Sequence, residues 1–560
     1  MKNIFKTIKT LLVLVLAVVM VTPVNILAEE VTATTELTEG LKRNLTVSGL
    51  DTRYKEVVSV YRVMDVSVKG SVPVSPAYTW TDNIGAWVKE KYPTYASEVE
   101  VVSGSSTVTK YAVTETFSKL TDKGTEVAEF YDALAAYIKE NNIAATDSKT
   151  NTGNAASVTF TGLDLGAYFI LVESGSKVYR PTSINVVPEF VAGTNDEPGT
   201  WVVADDNTTD VSLKSTEPTV EKVVTVTDGN NTTDKEKDDV QIGTVLPYTI
   251  KVLIPDYPSN AKGKKIIISD TFGTGLTFNN DVKVYGLLTD NGTPEELDLN
   301  VNYKYETVGS TGFKVTIDET KVTDPNATSS EQVQMYETIR KYKYILVKYT
   351  GTVNSSAEVT TGASNNATLD YNNNPYSNTL CSGDNNCTPP TDIVTVYTYG
   401  FDLKKVDKDD NTKVLTGAKF TIANSNSAST LIKFTGSNGV YVVAEDQSAT
   451  TGVVTELEVA SDGTLKVSGL ELGTYIVTET KAPDGYSKLA QPLELELVDS
   501  DLDGNLNSKT TGYFGKDIEN SQVYILPVTG GMGTLIFSVI GIVFMGLGIF
   551  LVKNVLKREQ

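Results

Sequence analysis

The 560-residue chain carries 48 lysines and arginines against 70 aspartates and glutamates, and the resulting charge of −22 argues against a nucleic-acid partner. It has no histidine, which removes serine–histidine and cysteine–histidine nucleophiles and histidine metal sites together. With its two apolar ends set aside, the length leaves room for about three domains at roughly 150 residues each.

The N-terminus, MKNIFKTIKTLLVLVLAVVMVTPVNILAEE, sets lysines ahead of an apolar run, Leu11–Met20, and then a small residue, Ala28, ahead of two glutamates. That order predicts a secretory signal peptide over residues 1–28. A first transmembrane helix fits less well, because the run is short and Pro23 and Asn25 follow it. Beyond it, alternating Val/Thr/Tyr-rich segments broken by DG, NG, GTG and PDG turns predict a mainly β chain of tandem antiparallel sandwiches. Between the two apolar ends helix is expected to be minor, with its two candidates in the first third. Val127, Phe130, Leu134, Tyr137 and Ile138 recur at helical spacing between Thr125 and Asn142, and a shorter helix is expected over 83–92. The stretch SVTFTGLDLGAYFILVES from Ser157 echoes GTLKVSGLELGTYIVTET from Gly463 around a common GLxLGxY, which predicts a hairpin shared by two sandwiches. Glu217–Pro218 and the CTPPTD segment from Cys387 read as linkers, giving expected domains at 29–214, 215–397 and 398–524.

Within the strands, a lysine falls on the apolar face. In TVEKVVTV, period-two alternation sets Lys222 with Val220, Val224 and Val226; in FDLKKVD it sets Lys405 with Phe401 and Leu403. A buried ammonium finds a carboxylate or gives up its proton, and a neutral amine is a nucleophile. The same alternation turns Asp270 inward with Ile266 and Ile268, and Glu479 with Tyr475 and Val477. It also aligns Asn365 with Ala367, Leu369 and Tyr371, and Asn520 with Ile518. Asn366 is adjacent, and the face favours Asn365. One lysine, one acid and one asparagine per domain suffice for an internal amide: the neutral lysine attacks the carboxamide, the acid polarises its oxygen and shuttles the proton, and ammonia departs. Two cross-links are therefore expected, Lys222–Asn365 with Asp270 and Lys405–Asn520 with Glu479, joining the first and last strands of their domains. Taken alone, either set also reads as an ordinary buried ion pair. No equivalent is expected in the first domain, because Glu173 follows Tyr168 by five residues where Glu479 follows Tyr475 by four, and so faces the other way.

Cys381 and Cys387, in a polar turn-rich stretch, fit a small local disulfide and two loop thiols equally well, with nothing in their spacing to suggest metal. In DSDLDGNLN, Asp499, Asp501, Asp503 and Gly504 mimic the first half of a calcium loop, but Thr510 stands where a bidentate glutamate is needed. A hairpin turn is expected there, and neither metal nor cofactor. At the far end, Leu535–Val552 runs eighteen residues without a charge, enough to cross about 27 Å as a helix, with Lys553, Lys557 and Arg558 on its distal side.

Leu526-Pro527-Val528-Thr529-Gly530, the apolar span and the basic tail resemble, in order, the LPxTG sorting signal of Gram-positive surface proteins, over residues 525–560. The body resembles a sortase-assembled major (backbone) pilin with isopeptide-forming immunoglobulin-like domains. KKVDKDDNTKVLTGAKFTI, YIVTETKAPDGY and IEN resemble a CnaB-type module; PTVEKVV, ISDTFGTGLTF and NNATLDYNNNP resemble the fimbrial isopeptide domain. The resemblance implies a non-enzymatic subunit of a wall-anchored surface pilus, cleaved by sortase between Thr529 and Gly530. It implies pilus-specific and housekeeping sortases, neighbouring copies of the chain, minor pilins and peptidoglycan as partners. It also implies an acceptor lysine shortly before Lys222, which in DVSLKSTEPTVEK is Lys214. The alternative reading is a single wall-anchored adhesin with a host protein as ligand.

Overall fold

The computed structural model describes residues 41–557, apart from 70, 104–105, 121–123, 153, 174, 193–198, 204–207, 229–230, 326–330, 382–386, 508–509 and 524–531. The expected signal peptide and the LPVTG signal lie outside the described residues.

Three sandwiches follow one another along the chain. In the first, Thr208–Ser212, Lys42–Ser48 and Ser157–Asp164 form a small sheet, and its apolar faces meet a larger sheet built on Val57–Lys69 and Gly166–Glu173. Leu45, Val47 and Phe160 close one core against Val58, Tyr168 and Ile170. Two helices, Asp82–Lys91 and Thr125–Glu140, cover the opposite face of the larger sheet, where Phe130, Leu134 and Ile138 pack on Tyr61, Trp80 and Phe169. This third layer explains why Gly166–Val172 carries no charged residue and is buried throughout: the strand is covered on both faces, as an alternating strand would not be. Ser215–Thr216 still pair with Val178–Tyr179, so the pairing of the first sandwich runs to Thr216.

In the middle sandwich, Thr219–Asp228, Val245–Leu253 and Tyr344–Val353 are neighbours in one sheet, and Thr391–Tyr397, Ala363–Asn372 and Ile266–Phe272 in the other. In the last, Tyr399–Asp407 lies between Thr464–Leu470 and Tyr513–Asn520, with a parallel register to the latter; Lys419–Asn424, Gly473–Lys481 and Leu493–Leu497 make the facing sheet. The two sandwiches share a continuous apolar core. Met532–Leu556 is a helix whose Leu535–Leu556 segment has a mean hydropathy of 2.8 and is long and apolar enough to cross a membrane.

The repeated GLxLGxY is not a hairpin. Ser157–Asp164 and Gly166–Glu173 belong to opposite sheets, as do Thr464–Leu470 and Gly473–Lys481. Gly162 and Gly469 take left-handed φ values of 68° and 90°, which turns the chain out of its sheet. Tyr168 and Tyr475 then donate their hydroxyls to the carbonyls of Asp164 and Glu471, each at 2.8 Å, fixing a tyrosine corner at both places. The DSDLDG stretch is likewise no hairpin turn, since Leu493–Leu497 pairs with Gly473–Lys481 and Tyr513–Asn520 with Tyr399–Asp407, across the sandwich.

Candidate functional site

In the last sandwich, Phe401, Leu403 and Lys405 face inward while Asp402 and Lys404 are exposed, as alternation requires. The parallel register sets Asp407 beside Asn520, so Lys405 and Asn520 project from neighbouring strands of one sheet. Lys405 Nζ lies 2.6 Å from Asn520 Oδ1 and 2.8 Å from the Ile518 carbonyl. From the facing sheet, Glu479 receives Asn520 Nδ2, at 3.0 Å to Oε1 and 3.2 Å to Oε2, while the Leu489 amide steadies Oε2 at 2.7 Å. All three side chains are buried. Burial pulls the Lys405 amine down to about 8.

The middle sandwich places its trio across the core. Lys222 projects from Thr219–Asp228 in one sheet; Asp270 and Asn365 project from adjacent strands of the other, where Asp270 pairs with Ala367 and Phe272 with Asn365. Lys222 is 0% exposed and its amine is held by Asp270 Oδ2. The Tyr349 hydroxyl donates to the same oxygen at 2.8 Å and accepts from Asn365 Nδ2 at 3.3 Å. Burial lowers Lys222 to about 8 and raises Asp270, so both shifts move the proton from amine to acid. Asp270 Oδ1 and Asn365 Oδ1 are each buried without a hydrogen-bond partner. A proton on Asp270 would supply the donor that this pair lacks. Asn366 pairs with Ile393 on the less buried face of its strand, away from Lys222.

Asn365 does not sit on the last strand of its sandwich. It lies on Ala363–Asn372, and Thr391–Tyr397 follows it as the exit strand. The sequence also passed over Tyr349. It alternates with Ile345 and Val347 and reads as core, and its one signal is a hydroxyl on an inward position where phenylalanine would fill the space. Tyr248, stacked on it with ring centroids 5.6 Å apart, completes the aromatic wall beside the Lys222 amine.

In the first sandwich, the residue four after Tyr168 is Val172, buried in the core, and Glu173 pairs with Lys139 of the helix Thr125–Glu140. Lys214 is exposed beyond Thr208–Ser212, and its carbonyl accepts the Arg180 amide at 2.9 Å. Cys381 and Cys387 form a buried disulfide, leaving no free cysteine among the described residues.

A family model described as a SpaA prealbumin-like fold domain matches residues 400–511. The trypsin-resistant surface T6 protein of Streptococcus pyogenes serotype M6 is 25% identical over 398 residues, which are 61% of this chain and 69% of that protein. The solved T6 backbone pilin of serotype M6 Streptococcus pyogenes superposes with a TM-score of 0.52 at 17% identity, over 88% of this chain and all of that one. The fold is that of a Gram-positive backbone pilin. The full-length major pilin SpaD from Corynebacterium diphtheriae also aligns, at 16% identity and a TM-score of 0.44, over 86% of this chain and 97% of that one. The pilin resemblance carried by the motifs is met in sequence and in fold by the T6 proteins of Streptococcus pyogenes.

Proposed function

We propose that this chain is the backbone subunit of a covalently polymerised cell-surface pilus, anchored to the wall through its sorting signal and stiffened by two autocatalytic lysine–asparagine amides. The observation that carries this reading is the recurrence of a buried lysine, acid and asparagine in two successive sandwiches of backbone-pilin fold. A surface enzyme has no use for either trio, because each consumes itself.

The chemistry is a transamidation. The neutral Lys405 amine attacks Asn520 Cγ, the C–N bond to Nδ2 breaks, and the departing nitrogen leaves as ammonia. Glu479, hydrogen-bonded to that nitrogen, receives the proton released by the amine and passes it on, so it emerges unchanged. In the middle sandwich Lys222 first gives its proton to Asp270, and the acid then polarises the Asn365 carbonyl. The low-dielectric core that makes the separated charges costly is what makes the neutral pair reactive.

Polymerisation uses a different amine. Sortase cleavage between Thr529 and Gly530 would leave the threonine carboxyl on the enzyme, and the exposed Lys214 of a neighbouring copy accepts it. A contact joining unlike ends does not close on itself, so an open fibre grows. Transfer to peptidoglycan by a housekeeping sortase would end growth.

Lys214→Arg tests this reading, since it keeps the charge but removes the primary amine. The expected outcome is loss of the high-mass ladder in denaturing gels of wall extracts, with monomer folding intact. Persistence of the ladder in that variant would assign the acceptor role to another lysine. Absence of any ladder from the unaltered chain would favour a single anchored adhesin.

A further inference from the structure

Between the last two strands of the last sandwich, the described residues 498–507 and 510–512 lie against the middle sandwich. Lys237 Nζ of the middle sandwich donates to the Leu502 carbonyl at 3.3 Å, and the Gly512 amide donates to Thr360 Oγ1 at 3.1 Å. Gly504, with φ at 87°, comes so close to the Thr360 carbonyl that a Cβ there would lie 2.1 Å from its oxygen. The loop is thus part of the joint between the two sandwiches.

At this joint one oxygen from each of Asp499, Asp501 and Asp503 lies within 4.8 Å of the others. Acidic turns on surfaces are common, and convergence alone means little. The second observation is Asp499 itself, which is only 3% exposed. Its Oδ2 is fully occupied, by the Tyr399 hydroxyl at 2.6 Å and the Gly504 amide at 3.0 Å. Its Oδ1 is buried with no donor. Such an oxygen forfeits its hydration without return, and a native fold explains it by a water or an ion. What faces Asp499 is another carboxyl, that of Asp501, with Asp503 beside it. Among the described residues, no lysine or arginine pairs with any of the three. The nearby Lys237 spends its amine on a carbonyl instead.

We propose that Asp499, Asp501 and Asp503 hold a calcium ion at the joint between the middle and last sandwiches. The donor set is all hard oxygen, on a loop that adjusts to a large ion more readily than to the rigid octahedron magnesium demands. Thr510 in the twelfth position removes the bidentate glutamate of a high-affinity loop, which sets affinity in the range of extracellular modules, about 10⁻⁴–10⁻³ M. The ion would satisfy Asp499 Oδ1, offset the mutual repulsion of the three carboxylates, and hold Leu502 and Gly504 in their left-handed conformations against Thr360 and Lys237.

Terbium is the probe, because a bound lanthanide is sensitised by a nearby tyrosine and Tyr399 contacts Asp499. The full chain, purified in detergent, is titrated with terbium and then with calcium or magnesium. A saturable luminescence is expected that calcium displaces at about 10⁻⁴–10⁻³ M and magnesium displaces at least tenfold less well. Asp501→Asn combined with Asp503→Asn should abolish it; both side chains are exposed, so the variant folds. Amide exchange of Gly504 and Gly512 should slow with calcium in the unaltered chain and not in the variant. Luminescence that is unchanged in the variant, displacement by magnesium as readily as by calcium, or absence of a saturable signal would each overturn the assignment.

Discussion

The middle and last sandwiches use the same three residue types in different geometries. In the last, Lys405 and Asn520 are on neighbouring parallel strands of one sheet, the amine already lies at the carboxamide oxygen, and Glu479 comes from the facing sheet. In the middle, Lys222 comes from one sheet and both Asp270 and Asn365 from the other, the amine lies at the acid, and Tyr349 connects acid to amide. A link within one sheet staples two strands that tension would slide past each other, whereas a link across the core fastens sheet to sheet. The first sandwich has valine in place of the acid. In the proposed fibre this is no weakness: tension enters at Lys214, at the end of that sandwich, and bypasses it.

The comparison breaks or holds first under force. The proposed Lys405–Asn520 link would span the last sandwich from its first strand to its last, but the proposed Lys222–Asn365 link would leave residues 366–397 outside its closed loop. There, Thr391–Tyr397 is held by non-covalent contacts, its ladders to Ala363–Thr368 and Lys237–Asp239, the Lys222 amide on Asp392 and the packing of Val394 and Val396, while the disulfide Cys381–Cys387 closes a short loop just before it. Pulling between position 214 and the C-terminus should release one short extension, from 366–397, of about 3.3–3.6 Å per freed residue. Reducing the disulfide should lengthen it. An extension arising in the last sandwich would refute the linkage there.

Next comes stability. Lys405 and Asn520 are 115 residues apart, and closing a loop of about that size constrains the unfolded chain by roughly 4.7 kcal/mol in the chain-entropy model. Asn520→Ala should therefore lower the opening free energy of the last sandwich by about 5 kcal/mol, read by hydrogen exchange on the full chain, and the variant should fall one ammonia short of its own sequence mass where the unaltered chain falls two short. Asn365→Ala should do the same to the middle sandwich alone. If either variant falls as far short of its own sequence mass as the unaltered chain does of its own, its cross-link does not exist.

Much of this site was legible in the sequence because a strand has period two, and a lysine, an acid or an asparagine out of phase with its polar neighbours announces itself. All six expected residues are buried. What period two does not encode is which sheet a strand joins, and so neither the cross-core geometry of Lys222 nor the exit strand after Asn365 could be read. The same blindness made GLxLGxY look like a hairpin. Two strands joined by a tight turn usually pair, and here glycines with left-handed φ, together with a tyrosine bond across four residues, divert the second strand to the opposite sheet.

The two geometries also separate kinetically. Tyr349→Phe removes a donor that favours the ionised form of Asp270, worth about 1.5–3 kcal/mol, so the neutral pair should gain population and the middle-sandwich cross-link should form roughly tenfold to a hundredfold faster. The last sandwich should be unaffected. The last-sandwich rate should rise with pH, since only the unprotonated amine attacks and Lys405 is drawn down to about 8, whereas the middle-sandwich rate should not, because Lys222 passes its proton to Asp270 and the pair keeps one proton throughout. Below that pH the reactive fraction falls about tenfold per unit. A last-sandwich rate that declines as pH climbs towards 8, followed by mass spectrometry of freshly refolded chain, would rule out the neutral amine as nucleophile.

The smallest effect tests what the first and last sandwiches have in common. Tyr168→Phe and Tyr475→Phe each delete one hydroxyl donor to a carbonyl at the same offset and the same 2.8 Å, from side chains that are fully buried in both cases. Each should cost about 1 kcal/mol of opening free energy, because a typical internal hydrogen bond contributes about that much net. The proposed link in the last sandwich does not alter this expectation, because it would act on the unfolded chain while the corner acts on the folded one, and distant effects add to within about 0.5 kcal/mol. Hydrogen exchange in Gly166–Glu173 and Gly473–Lys481 gives the two costs separately. Equal losses identify the repeat as one folding device used twice, serving a linked and an unlinked sandwich alike. A loss confined to one of them would mean that the other corner is held by its glycine turn and core packing, with the tyrosine bond incidental.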